Sequence, residues 1–289
     1  MVDTGGSALA DTFRRDGFIA GARVLEADAA AAVLERVDAF ARTHAADLPV
    51  AEMFRTGSHL VMRCVDDMVR HPRVLDVVRQ LLGDDLIVWD SDVFIKEAHS
   101  QGYVSWHQDL RYWGVDSHDA VTAWVALTDA TGAMGCMRFL PGSHRAGLVA
   151  HEDTFETDNL LTRGQNVKWE IDESRARVGE LKAGEMSVHH GLTMHASDPN
   201  RSPHRRVGLV VRFATPAMRP VVIERDHAQL VCGEDAYGHY TPVPRPRTDA
   251  SPEAVALWRK VTGERAGAYF SGVAEKDRRW TGGRAANRN

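Results

Sequence analysis

The hydrophobic pattern changes period once along the chain. Over residues 26–47, Leu25, Ala29, Ala32, Val33, Val37 and Phe40 recur at steps of three and four. Glu26, Glu35, Arg36 and Asp38 fill the gaps, which predicts an amphipathic helix. A second helix is expected over 72–82, with Val74, Leu75, Val78, Leu81 and Leu82 on its apolar face and Gly83 as its stop. From Leu86 the texture shifts to short β-prone runs at 86–96, 103–107, 120–127, 137–140, 185–189 and 207–214. Turn residues such as Pro141-Gly142-Ser143 and Asp198-Pro199-Asn200 punctuate them. Residues 150–180 follow neither period and are rich in charge, as an insertion covering a site would be. Ser251-Pro252 opens a last helix over 251–262, with serine as cap and proline in the first turn. Helices followed by many short strands predict an α+β domain built on a β-sandwich or barrel. Its expected extent is 1–289 as one domain: N-terminal helices to 85, a core at about 86–215 and a helical segment over 216–289.

Composition narrows the function classes. The 289 residues are 44% hydrophobic and 26% charged, enough apolar material for a sizeable core. A net charge of -5 offers no electrostatic basis for binding nucleic acid or an anionic membrane. Arg278, Arg279, Arg284 and Arg288 read as a solvated basic tail. Cys64, Cys136 and Cys232 show no CxxC spacing, which argues against a disulfide framework or a thiolate zinc site. The first ten residues lack the basic start and apolar run of a signal peptide, and no stretch approaches the roughly 20 apolar residues of a membrane span. A reducing cytoplasm is the expected compartment.

The candidate chemistry starts at His107-Gln108-Asp109, one of two His-x-Asp triplets; the other is His151-Glu152-Asp153. His107 follows an aromatic, β-prone run, so His107 and Asp109 project from one side at a strand end and can share a metal. His151 opens the charged insertion, away from any recognisable strand. Farther along, His189, His190 and His195 offer an imidazole that would complete a set of two histidines and one carboxylate. That facial set leaves three positions open on a non-haem Fe(II) ion. Two suit the keto and carboxylate oxygens of a 2-oxo acid, and the third suits O2. A distal carboxylate on such a cosubstrate needs a fixed cation, for which arginine's planar fork is best adapted. Arg206, eleven residues after His195 and at the head of the last strand, meets that need. Arg205 is the alternative clamp, and His190 the alternative distal ligand.

The span from Leu86 to Phe213 resembles the phytanoyl-CoA dioxygenase superfamily, which includes ectoine hydroxylases and related bacterial oxygenases. The resemblance is carried by Trp106-His107-Gln108-Asp109, Tyr112-Trp113-Gly114, the run from Thr122 to Leu127, the run from Gly135 to His144, Gly184-Glu185, and His190-Gly191 through Arg206. It implies a double-stranded β-helix (jelly-roll) core flanked by helices. It also implies that His107, Asp109 and His195 hold Fe(II), and that Arg206 binds the 5-carboxylate of 2-oxoglutarate with support from the Ser197 hydroxyl. Lys96 matches a lysine of ectoine-hydroxylase-like members and joins the cosubstrate residues. His189 and His190 become pocket-wall residues. The implied reaction couples O2 and oxidative decarboxylation of 2-oxoglutarate, giving succinate and CO2, to hydroxylation of an unactivated C–H bond. Asp109 excludes the halogenating branch, in which a small residue replaces the carboxylate. Arg111, Tyr112, Trp113, Arg138 and His144 are expected to border the pocket, suiting a small substrate with a carboxylate or phosphonate. Two other readings stay open, a cupin-like metal oxygenase without 2-oxoglutarate and a non-catalytic jelly-roll binding module.

Overall fold

The computed structural model describes residues 5–270; the arginines read as a basic tail lie outside them. Helix α1 (Gly5–Asp16) leads into strand β1 (Phe18–Arg23). Helices α2 (Ala27–His44), α3 (Val50–Arg55), α4 (Ser58–Val61), α5 (Arg63–Val69) and α6 (Pro72–Leu82) follow. The strands then run β2 (Leu86–Lys96), β3 (Val104–His107), β4 (Ala120–Ala126), β5 (Met137–Phe139), β6 (His151–Asp153) and β7 (Gln165–Val167). They continue with β8 (Arg177–Gly179), β9 (Glu185–His190), β10 (His195–Ser197), β11 (Arg206–Ala214), β12 (His227–Cys232) and β13 (Thr241–Pro242), before helix α7 (Pro252–Tyr269).

These strands build a large sheet, ordered β1-β9-β4-β11-β2-β12-β13, and a smaller one, ordered β3-β10-β5-β8. Pairing is antiparallel except between β12 and β13. The result is an α+β fold with a jelly-roll core. Its centre is β11, paired along its length with β2 on one side and β4 on the other. Successive side chains of a strand point to opposite faces. Here the apolar ones, Val121, Ala123, Val125, Val188, Val207, Leu209, Val211 and Phe213, join Val37, Phe40, Met53, Val65, Val74 and Val78 of the helices in one buried core. The alternate positions, including Asp92, Lys96, Thr122, His189, Arg206 and Arg212, are turned away from that core. Burying each large apolar side chain stabilises the fold by about 1.5–3 kcal/mol, which holds the polar face in place.

Several sequence expectations shift. In α2 the buried positions are Ala30, Val37 and Phe40, while Ala29 and Ala32 are exposed. Alanines on every side of this helix made its phase hard to read. Helices α3 to α5 were not anticipated; they are single turns or little more, wrapped around the buried polar side chains Ser58, His59 and Asp66. The 216–250 part of the expected helical segment instead contributes β12 and β13. Helix α7 runs past the expected stop at 262 to Tyr269, and the Ser251 hydroxyl accepts from the Ala254 N–H at its start. The insertion holds the β6–β7 hairpin and ends in β8, which pairs with β5 as part of the smaller sheet. Among the described residues, no helix is long and apolar enough to cross a membrane.

The packing makes a direct prediction. Leu209→Ala, at a fully buried position of β11, should destabilise by about 2–5 kcal/mol in denaturant unfolding. Val178→Ala, at a position 58% exposed, should stay within about 0.5 kcal/mol.

Candidate metal centre and cosubstrate pocket

Strands β3 and β10 are antiparallel neighbours, and their register sets His195 opposite His107. The two rings lie 4.1 Å apart between centroids. Asp109 starts the 3-10 turn Asp109–Tyr112 just beyond β3, which turns its carboxylate back toward the histidines. Its Oδ1 is 3.3 Å from His107 Nε2 and 3.7 Å from His195 Nε2. One donor atom from each of the three residues lies within 4.8 Å of the others.

The surroundings settle how these groups are presented. His107 Nδ1 donates to the Ser105 carbonyl at 2.9 Å, and His195 Nδ1 donates to the Thr193 carbonyl at 2.9 Å. With Nδ1 as donor in both rings, each Nε2 keeps its lone pair for the shared point. The other Asp109 oxygen, Oδ2, accepts from the Thr122 hydroxyl at 2.5 Å and lies 3.2 Å from His189 Nε2. Burial alone would raise the Asp109 pKa, but the neighbouring His195, His107 and His189 hold it well below the usual carboxylate range. Burial, reinforced by His107 and His189, pushes His195 well below the usual imidazole range. A neutral imidazole beside an ionised carboxylate is the protonation pattern a divalent cation demands, so the residues fit a hard metal ion.

Strand alternation sorts the other histidines. His189 lines the cavity wall beside Asp109, its ring 4.1 Å from that of His195. His190 points to the opposite face of β9, where its Nδ1 accepts from the Leu192 N–H and its ring neighbours His144. It does not join the set. The second triplet departs from its reading: His151 lies on strand β6 and touches the metal motif, accepting from the Gln108 N–H at 3.1 Å. Asp153 accepts from the Tyr112 hydroxyl at 2.5 Å and from Arg163.

Along the same face of the large sheet, Arg206 sits opposite Lys96 in the β2–β11 register. Its guanidinium is buried between the rings of Trp124, at 5.1 Å, and Phe94, at 5.6 Å. One terminal nitrogen donates to the Gly135 carbonyl, and Nε has no partner. Burial lowers its pKa to about 10. Gly208 makes room for this arrangement, since a Cβ there would collide with the Trp124 ring. Arg205 turns outward and pairs with Asp38 of α2. Lys96 Nζ donates to the Ser197 hydroxyl oxygen at 2.7 Å and to the Ser197 and Asp198 carbonyls. Burial and the nearby Arg206 pull Lys96 down to about 6. With its oxygen accepting from Lys96, the Ser197 hydroxyl proton is left to donate into the cavity.

His107, Asp109, His195, Ser197 and Arg206 all line one cavity of about 280 Å³. Arg111, Tyr112 and Trp113 line it as expected, with Trp113 stacked on Trp89 at 4.7 Å. Thr162, Arg163 and Gln165 from the insertion also reach it. Arg138 does not: on β5 its neighbour Met137 takes the cavity-facing position. Arg138 faces outward to Glu173 and Asp198 over the Trp106 ring. His144 packs against Gly17 and His190 instead of the cavity. Sequence reasoning missed Arg55, Asp90, Asp92, Arg212 and Tyr269 in the lining. Asp90 and Asp92 carried a usable signal, since with Phe94 and Lys96 they occupy alternate positions of one long strand.

The model of the phytanoyl-CoA dioxygenase (PhyH) family matches residues 13–208. The chain belongs to that family. Its relatives include the L-proline trans-4-hydroxylase of Streptomyces griseoviridis, 30% identical over 190 residues, which are 57% of this chain and 70% of that protein. A probable alpha-ketoglutarate-dependent hypophosphite dioxygenase of Stutzerimonas stutzeri is 28% identical over 184 residues. That match covers 63% of this chain and 60% of the relative, less than two thirds of its length. Among solved structures, the apo form of ThoJ, a non-heme monooxygenase, superposes with a TM-score of 0.83 at 34% identity, covering 92% of this chain and 98% of that one.

If this centre holds a divalent ion, Co(II) at a hundredfold excess over its Kd should stabilise the protein by about 2.7 kcal/mol. The gain should disappear in His107→Ala and Asp109→Ala, with both variants still folded without metal. Equal stabilisation of wild type and variants in a melting experiment would remove the three residues from the site.

Proposed function

We propose that this chain is a non-haem Fe(II)- and 2-oxoglutarate-dependent oxygenase that hydroxylates an unactivated C–H bond of a small molecule. The observation that carries this reading is one cavity holding both a buried His–Asp–His donor set and, across it, a buried arginine whose Nε has no partner. His107, Asp109 and His195 would hold the iron. Bound together, iron, 2-oxoglutarate and O2 supply the oxidising power for C–H hydroxylation, with succinate and CO2 as coproducts.

The chain's own residues supply orientation and shielding. Thr122 and His189 fix Asp109 so that one oxygen stays available. Arg206 would supply the cation at the end where the distal carboxylate of 2-oxoglutarate is read, with the Ser197 hydroxyl beside it and Lys96 acting through Ser197. Trp124 and Phe94 keep that end dry, which strengthens charge pairing there. Thr162, Arg163 and Gln165 of the insertion and Tyr269 also line the cavity, where exclusion of water prevents side reactions. Arg111 is exposed at the rim and would draw in an anionic substrate. The proposed catalytic unit extends through the helices that pack on the large sheet. The three cysteines are free, in keeping with a reducing compartment.

The test is the cosubstrate requirement. Leaving a desolvated carboxylate without its partner costs about 3–5 kcal/mol, roughly a hundredfold to several-thousandfold in affinity. Arg206→Ala should raise the 2-oxoglutarate concentration needed for turnover by at least about a hundredfold and leave metal binding nearly intact. Arg206→Lys should recover only part, because a point charge lacks the two-pronged contact. Arg205→Ala should change little. Indifference to both arginines would favour a metal oxygenase that does not use 2-oxoglutarate.

A further inference from the structure

The cavity contains a second set of charged groups that neither the metal nor the cosubstrate end uses. Most are already satisfied within the protein. Arg163 is held by Asp153, and Arg265 by Asp226 and the His227 carbonyl. Asp90 accepts from the Thr56 hydroxyl and from the Gly57 and Ser91 N–H groups, with Arg212 at 3.5 Å. Arg212 and Arg265 each keep one terminal nitrogen without a hydrogen bond, but those nitrogens lie near Asp90, at 3.5 and 3.8 Å. Asp92 and Arg55 also keep an unpartnered atom each.

Asp92 is 4% exposed, and only its Oδ2 is engaged, by Arg212 at 2.8 Å. Its Oδ1 is buried without a partner. Arg212 serves Asp90 as well, alongside Arg265 at 3.8 Å, and burial pushes Asp92 upward from its ordinary pKa. Arg55 approaches from helix α3. Its guanidinium lies 4.9 Å from the centre of the Phe94 ring, and one terminal nitrogen donates to the Leu160 carbonyl at 2.6 Å. Its Nε is buried without a partner, and no carboxylate among the described residues forms an ion pair with it. Asp92 is nonetheless the charge it feels most strongly. Asp92 and Arg55 thus line one cavity, each with an unpartnered atom, and do not pair with each other.

Leaving either group unsatisfied carries a desolvation penalty, larger when the group is charged. A ligand that offers a cationic N–H donor to Asp92 and, beside it, an anionic acceptor to Arg55 would complete both. We infer that Asp92 and Arg55 form a headgroup subsite for a substrate with a free amine and a free carboxylate on the same carbon, as in an α-amino acid. This deepens the oxygenase reading and rests on it. Position in the sheet agrees: Asp92 is on β2, which lies two strands from Thr122 of β4 beside Asp109. At about 4.8 Å per strand spacing, that is roughly 10 Å. The amine and carboxylate would be anchored there while the substrate's side chain extends to the metal centre.

The experiment is anaerobic calorimetry on the full-length protein loaded with Co(II) and 2-oxoglutarate. Free L-amino acids are titrated alongside their N-acetyl and carboxamide derivatives. At least one free amino acid should bind, and blocking either its amine or its carboxylate should weaken binding tenfold or more. Asp92→Asn and Arg55→Gln should weaken the free amino acid by a similar factor while 2-oxoglutarate still binds as in wild type. Should the variants misfold, the comparison of free and blocked ligands on wild type still decides the question. Equal binding of free and blocked forms, or no binding by any of them, overturns the subsite. So does a loss of 2-oxoglutarate affinity in Arg55→Gln, which would assign Arg55 to the cosubstrate end. Failure of wild type to bind 2-oxoglutarate at all would count against the oxygenase reading instead.

Discussion

Everything in the site depends on the two-residue alternation of the central strands being held in one register. In β2, β4, β9 and β11 the apolar side chains turn to the helices and the chemistry-bearing ones turn inward. A slip of one residue would turn Arg206 toward the helix-covered apolar core and bring Arg205 or Val207 into the cavity, while turning the apolar set away from that core. The helices therefore act on function indirectly. By burying Val207, Leu209, Val211 and Phe213 they fix which side of β11 faces the metal centre. The smaller sheet adds the other half, since the pairing of β3 with β10 brings two histidines distant in sequence face to face.

The second constraint is electrostatic. A cavity between two sheets is a poor place for charge unless each group has a partner. Within it Arg163, Arg265, Arg212 and Asp90 are paired by the protein itself. The incomplete groups are the informative ones. Arg206, Arg55 and Asp92 each line the cavity and keep an unpartnered atom, the first at the proposed cosubstrate end and the other two in the region assigned to substrate. Around Asp109 the polar groups of Thr122 and His189 are already placed, so little reorganisation is required when a cation arrives.

Much of this was legible in the sequence where a pattern was long or a motif specific. The eleven-residue β2 and the spacing from His195 to Arg206 were both readable, and the ligand set followed from the family motifs. What escaped was non-local or too short to carry a period. Met137-Arg138-Phe139 is a three-residue strand, so nothing in the chain tells which of its residues faces inward, and Arg138 was assigned to the wrong side. His151 was read as part of a loop because β6 has only three residues. Arg55 sits on a one-and-a-half-turn helix far from the metal motif, and only tertiary packing brings it over Phe94. Strand β12 lies where no alternation stands out, and its place beside β2 is a property of the assembled sheet.

The central claim is that iron and 2-oxoglutarate meet in this one cavity, and direct chelation tests it without any knowledge of the substrate. Fe(II) and then 2-oxoglutarate would be added to the protein without oxygen while the visible spectrum is recorded. A weak metal-to-ligand charge-transfer band that appears only when protein, Fe(II) and 2-oxoglutarate are all present is the predicted result. Protein that binds Fe(II) but shows no such band at saturating 2-oxoglutarate would contradict it.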